Sequence, residues 1–309
     1  ILPTILWSRL DVIHVQIILI STTWMGFIGF LDDYLKVVKN KPKGLIARYK
    51  MIGLVGLGIL VCFFLSKNPN GYNIIEKENT NLIAEEITEN NSWVYERIPI
   101  TSTSIPFIAD GYINIGILYY ILIILVISGS SNAVNLTDGL DGLAAGLVAI
   151  CMLVFGAIAY IASRTEWSYY LNSIFIEGAG ELSIFCIAAV GACIGFLWYN
   201  SHPASVFMGD TGSLSLGAAL GTLSILLKKE ILLVIIGGVF VIETMSVIIQ
   251  VLYFKYTKRK TGEGKKLFKM APIHHHYELK GWHENKVVVR FWIIGILLAL
   301  ISLTTFKIQ

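Results

Sequence analysis

The chain has 309 residues, of which 55% are hydrophobic and only 15% charged, and its mean hydropathy is +0.69. That excludes an ordinary soluble domain, in which about a quarter of residues are charged. The net charge of +3 is modest, so its distribution matters more than its size; no nucleic-acid partner is expected, and Cys62, Cys151, Cys186 and Cys193 all lie in apolar runs without zinc or disulfide spacing.

What remains is an all-α polytopic transmembrane helical bundle, a single integral membrane domain over residues 1–309 whose first partner is the lipid bilayer. The chain opens Ile1-Leu-Pro-Thr-Ile-Leu-Trp7, with neither an initiator Met nor a basic signal start. These residues read as the tail of an earlier span, with the N-terminal spans missing. Apolar runs then fall at 12–31, 51–66, 114–130, 142–163, 180–199, 213–227, 231–254 and 287–305, which makes about eight full spans of roughly 20 residues or slightly fewer.

Alternating the sides puts 32–50, 131–141, 200–212 and 255–286 on one face, and 67–113, 164–179 and 228–230 on the other. The first face collects Lys36, Lys39, Lys41, Lys43, Arg48, Lys50 and the lysines of 255–286, so the positive-inside rule makes it cytoplasmic. The acidic stretch 67–113 becomes an extracytoplasmic loop insertion without periodicity, in which Trp93 to Ile108 is the portion able to pack on the membrane surface.

At the end of the 12–31 span stand Asp32 and Asp33, followed by Lys36. Two adjacent carboxylates at a helix C-terminus face the negative end of its dipole, so a cation, either metal or lysine, is needed to explain them. Farther on, Asn132-Ala-Val-Asn135-Leu-Thr-Asp138-Gly-Leu-Asp141-Gly-Leu-Ala144 is a polar island between apolar runs. One Asp would suffice to cap the next helix. Two amides, two carboxylates and two glycines read as a site, with Gly139 and Gly142 leaving room for a ligand and the helix N-terminus aimed back at it.

Asn200 to Ser213 is a loop punctuated by Pro203 and Gly209, and Asp210 precedes a helix. Asp210 suits either a cap or a hard-cation site, since Mg²⁺ takes one or two carboxylates and fills its shell with water and phosphate oxygens. Glu243 lies inside an apolar run and is expected to face the protein interior or water. His274, His275 and His276 lack the i, i+4 spacing of a helical zinc site. In a lysine-rich loop they read as donors to phosphate oxygens or as proton carriers. His274, directly after the Pro272-Ile turn, is the one expected to be held in a fixed direction.

Asp32-Asp33-Tyr34, Asn132 through Ala144, Phe207-Met-Gly-Asp210-Thr-Gly-Ser213 and Ala271-Pro-Ile-His-His-His276 stand in the order found in the polyprenyl-phosphate N-acetylhexosamine-1-phosphate transferases. The chain resembles that family over essentially its whole length except the acidic loop, and its histidine motif is similar to that of the branch with a muramoyl-pentapeptide donor. The resemblance implies a bacterial cytoplasmic membrane enzyme of peptidoglycan synthesis. It would move phospho-N-acetylmuramoyl-pentapeptide from UDP-MurNAc-pentapeptide to undecaprenyl phosphate with Mg²⁺, giving lipid I and UMP on the cytoplasmic face, and a homodimer is an assembly to be expected.

It also implies residue roles. Asp210 becomes the Mg²⁺ ligand, Asp32 orients or deprotonates the lipid phosphate, and Asp33 helps to hold a cation or a lysine. Asn132, Asn135, Asp138, Asp141 and Asn200 bind uridine and position the diphosphate, Lys36, Lys50 and His274 to His276 contact phosphates, and Phe207 stacks on uracil. A phosphate monoester is already mostly dianionic at neutral pH, which argues against a base role for Asp32. Two other readings stay open: transfer of N-acetylglucosamine 1-phosphate to a polyprenyl phosphate, and an ion-coupled transporter, which would require carboxylates near the midplane.

Overall fold

A backbone in hydrocarbon has to satisfy its own polar groups, and a helix does so within one segment. The apolar runs accordingly become helices in the structure, a computed structural model that describes residues 1–67, 72–77, 93–108 and 111–308. The order is α1 (Leu2–Trp7), α2 (Ile13–Val37), α3 (Ala47–Ser66), β1 (Tyr72–Lys77), β2 (Trp93–Ile98), β3 (Ser102–Ser104), β4 (Tyr112–Asn114), α4 (Leu118–Thr137), α5 (Leu143–Ala162), α6 (Thr165–Tyr170), α7 (Gly180–Asn200), α8 (Gly209–Leu226), α9 (Glu230–Ile236), α10 (Gly238–Thr261), α11 (Ile273–Glu278) and α12 (Glu284–Ile308). Among the described residues seven helices, α2, α3, α4, α5, α7, α10 and α12, are long and apolar enough to cross a membrane.

Two of the expected spans have features of their own. The 213–227 run is α8, studded with Gly, Ser and Thr and buried continuously from Gly217 to Leu226, with α2 and α4 packed on it. Its crossing with α2 is so close that a Cβ on Gly29 would lie 2.2 Å from the Asp210 carbonyl oxygen, so only glycine fits there. The 231–254 run is broken at Gly237 into α9 and α10. Paired glycines at 237 and 238 supply the weak point for such a break.

The 67–113 segment differs from the loop expected. β1 pairs antiparallel with β2, from Tyr72 opposite Ile98 to Lys77 opposite Trp93, and β3 pairs with β4. Glu78, Glu85, Glu86 and Glu89 lie outside the described residues. β3 covers the turn between α8 and α9, where Lys228, Lys229 and Glu230 are buried although the sequence places them on an exposed face. The Thr103 hydroxyl donates to Glu230 at 2.5 Å and the Ser104 hydroxyl donates to the Lys228 carbonyl at 2.5 Å, while Tyr119 also donates to Glu230. The Lys228 ammonium donates to Tyr119 at 2.9 Å and lies 4.3 Å and 4.1 Å from the ring centres of Tyr72 and Tyr119. Burial pushes Lys228 down to about 7, with Glu230 pulling the other way.

Candidate active site

The carboxylates cluster because the end of α2 meets the start of α8. Asp32 and Asp33 are one residue, and so about 100°, apart on α2 and face different partners. Asp33 takes the backbone N–H groups of Asp210 at 3.2 Å and Thr211 at 2.8 Å and the Thr211 hydroxyl at 2.6 Å, so it caps α8 from a neighbouring helix. Asp32 is fully buried; its Oδ1 accepts the Leu45 N–H at 2.6 Å, and its Oδ2 pairs with Lys36 and, at 3.1 Å, with Lys50. Lys50 also pairs with Asp210, and Lys36 lies 3.5 Å from the same Asp210 oxygen. Oxygens of Asp32, Asp33 and Asp210 all lie within 4.8 Å of one another.

Beside this cluster the turn between α4 and α5 lines a cavity of about 330 Å³ with Asn135, Asp138, Gly139, Leu140, Asp141, Asn200, Phe207, Met208, Gly209 and Asp210. Asn135 donates to Asp210 at 3.0 Å and to the Ser213 hydroxyl at 2.8 Å. Asp138 makes no side-chain hydrogen bond within the described residues, and burial, together with Asp210 and Asp33, pushes its carboxyl up to about 6. Phe207 is 74% exposed at the cavity rim.

Several expected roles change. Asn132 does not line this cavity; its amide donates to the Ser128 carbonyl of its own helix at 2.7 Å, because its position on α4 turns it away. Asp138 and Asp141 belong to the turn between α4 and α5. The N–H groups ahead of α5 are not left for a ligand: the Gly142 N–H donates to Asn200 at 3.0 Å and the Asp141 N–H to Glu284 at 2.8 Å. Asp141 Oδ2 accepts the Ala204 N–H at 3.0 Å and lies 3.1 Å from His202 Nδ1, which is also 3.1 Å from Glu284. Asn200 donates to the Val206 carbonyl at 2.8 Å. Asn200 and Asp141 thus brace the loop that carries Phe207 as well as lining the cavity.

Helical geometry separates the three histidines, since successive residues on α11 point about 100° apart. His274 is fully buried against Glu243, with Nδ1 3.1 Å from Oε2, and does not itself line the cavity. His275 lies 2.6 Å from Glu278, and His276 accepts the Lys269 N–H at 3.0 Å. Burial first, then Lys280 and Lys269, holds His276 below the usual imidazole range. Gly139 is crowded by His274 and His275 rather than left open: a Cβ there would lie 2.4 Å from His274 Nε2 and 3.3 Å from His275 Nε2.

Sequence reasoning did not nominate His202, Glu284 or Thr211. Glu284, in the first turn of α12, has the local appearance of an ordinary dipole partner, and nothing in the chain signals its bond to Asp141, 143 residues away.

Residues 15–228 match the model of glycosyl transferase family 4. The chain is 47% identical over 308 residues to the phospho-N-acetylmuramoyl-pentapeptide-transferase of Chlorobium chlorochromatii, covering 100% of this chain and 77% of that protein. It is 47% identical to the same-named protein of Chloroherpeton thalassium over 99% of this chain and 76% of the relative, and 44% identical to that of Chlorobaculum parvum over 100% and 77%. Identity of this order over the whole chain goes beyond likeness of fold: this multi-pass helical membrane protein belongs to the phospho-N-acetylmuramoyl-pentapeptide-transferase family.

Proposed function

We propose that the protein transfers phospho-N-acetylmuramoyl-pentapeptide from UDP-MurNAc-pentapeptide to undecaprenyl phosphate. An oxygen of the lipid phosphate bonds to the sugar-linked phosphorus, the bond from that phosphorus to the bridging oxygen breaks, and UMP leaves. The observation that carries this reading is the pairing of an unbonded carboxyl, Asp138, with a lysine-lined carboxylate cluster across one cavity rimmed by exposed Phe207. The ring offers a stacking face for uracil. Lys36 and Lys50 supply positive charge where two anionic substrates meet, and the reaction needs mainly position and charge neutralisation.

Asp32 acts by orientation. Both of its oxygens are engaged by Leu45, Lys36 and Lys50, which leaves no ready acceptor for a proton, and the lipid phosphate is already largely dianionic. The donor set fits Mg²⁺, because three carboxylates formally outweigh two ammonium groups and offer hard oxygens close together. Asp210 would hold the ion, with Asp32 engaged by its lysines and Asp33 committed to α8. Bound there, Mg²⁺ would supply neutralisation of diphosphate charge.

The site opens on the lysine-rich face, which the positive-inside rule makes cytoplasmic. Full-length protein in undecaprenyl phosphate micelles is expected to make lipid I and UMP from UDP-MurNAc-pentapeptide, with activity lost on chelation of divalent cations. Turnover of UDP-N-acetylglucosamine alone would replace this reading with its sister transferase. Labelling of Phe207→Cys only from outside intact cells would overturn the cytoplasmic site.

A further inference from the structure

Glu243 and His274 form a pair that the proposed chemistry does not use directly. Both side chains are 0% exposed, and His274 Nδ1 lies 3.1 Å from Glu243 Oε2. The 3.1 Å approach to His274 Nδ1 is the close polar contact of Glu243, since among the described residues no hydrogen bond reaches either of its oxygens or either ring nitrogen of His274. An apolar cavity of about 240 Å³ between α4, α9 and α10 is lined by Phe240, Val241 and Thr244, but Glu243 points away from it, toward α11. A buried carboxylate with one partner depends on that partner, because removing either leaves an uncompensated polar group.

The other ring nitrogen of His274 faces the wall of the proposed donor cavity. Nε2 sits where a Cβ on Gly139 would lie 2.4 Å away, and Gly139 lines the cavity next to Asp138. A carboxylate on one imidazole nitrogen fixes the proton there and sets the ring's direction. We propose that Glu243 is a positioning residue of the transfer site: through its 3.1 Å contact with Nδ1 it keeps His274 pressed on Gly139 and holds the turn that presents Asp138. The inference rests on the reading of that cavity as the site of the UDP-linked donor.

The test uses the full-length enzyme with UDP-MurNAc-pentapeptide and undecaprenyl phosphate. Glu243→Met keeps the side chain's shape and removes the acceptor, and is expected to lower kcat/KM for the donor by about 10- to 100-fold, the range for loss of a supporting partner. KM for undecaprenyl phosphate should stay unchanged. Glu243→Gln keeps an oxygen for Nδ1–H and should retain most activity. Glu243→Met combined with His274→Ala should be no worse than His274→Ala alone, since one acts through the other. Should Glu243→Met not accumulate, Gly139→Ala displaces the ring from the opposite side and is expected to cause the same donor-specific loss. Losses that multiply in the double variant, equal damage by Gln and Met, or full activity of Glu243→Met or Gly139→Ala would overturn the positioning role. Wild-type protein that makes no lipid I defeats the donor reading itself, which separates the two failures.

Discussion

Asp33 Oδ2 accepts both the backbone N–H of Thr211, at 2.8 Å, and its hydroxyl, at 2.6 Å, so the last turn of α2 caps the first turn of α8. Asp210, one residue before Thr211, is thereby fixed beside Lys50. The adjacent carboxylates of α2 therefore differ in kind: Asp32 holds lysines and Asp33 holds a helix.

Loss of Asp33 and loss of Asp210 should separate accordingly. Asp33→Ala removes a cap and is expected to cost about 1–2 kcal/mol of stability, with an activity loss that added Mg²⁺ does not recover. Asp210→Asn is expected to lower turnover about 100-fold, with partial recovery at high Mg²⁺. Melting temperature in detergent and a Mg²⁺ titration of each variant check this, and identical Mg²⁺ responses would contradict it.

Asp138 predicts a pH signature. Burial and the neighbouring Asp210 and Asp33 raise its carboxyl to about 6 from 3.8, so the folded state holds this proton more tightly than the unfolded chain. Its stabilising contribution is complete below about 3.8 and is lost as pH rises through about 6. Asp138→Asn, neutral throughout, should therefore melt higher than wild type at pH 7 to 8 in the absence of substrate, and alike near pH 4, while losing activity. A constant difference across pH would remove the cause assigned here.

The buried pair at the other end predicts stability rather than turnover. Lys228→Met alone removes one of the two ammonium groups beside Glu230, leaving it under β3 with its hydroxyl partners and Lys229, and should destabilise by about 3–5 kcal/mol. Lys228→Met with Glu230→Leu should recover most of that loss, since replacing a whole buried pair by apolar groups is often near neutral. Thermal melts of the three proteins decide it, and a double variant less stable than either single would show that the pair is net stabilising.

The spans were readable because hydrocarbon permits few alternatives to an apolar helix, and the motif order located the carboxylates. What the sequence could not resolve turns on direction. Asp32 and Asp33, or the three histidines, are chemically alike until helix rotation assigns each a partner. Gly139 reads as room for a ligand, and only tertiary packing shows that His274 fills the space. The Gly-, Ser- and Thr-rich α8 reads as a span like the others, and only tertiary packing shows it to be the buried centre that α2 and α4 grip. β3 and β4, of three residues each, are too short for periodicity to register.

The last prediction concerns His202, which lies 3.1 Å from both Asp141 and Glu284 and joins three separate stretches of chain. The loop after Asn200 carries Phe207, and its hold on the island turn runs through this histidine, through the Ala204 N–H to Asp141, and through Asn200. Glu284→Ala removes a partner of His202 and the acceptor of the Asp141 N–H at once. Because Phe207 is the proposed stacking surface for uracil, a loosened loop should weaken donor binding before it affects the phosphate chemistry. We expect Glu284→Ala and His202→Ala each to raise KM for UDP-MurNAc-pentapeptide with smaller effects on kcat and on melting temperature, as befits a partly exposed contact. Their combination should fall short of the product of the two effects, because both act on one clasp. Steady-state kinetics of the two single variants and the double variant provide the measurement. A fall in kcat at unchanged KM would instead place His202 in the chemistry, and full additivity would dissolve the clasp into two unrelated contacts.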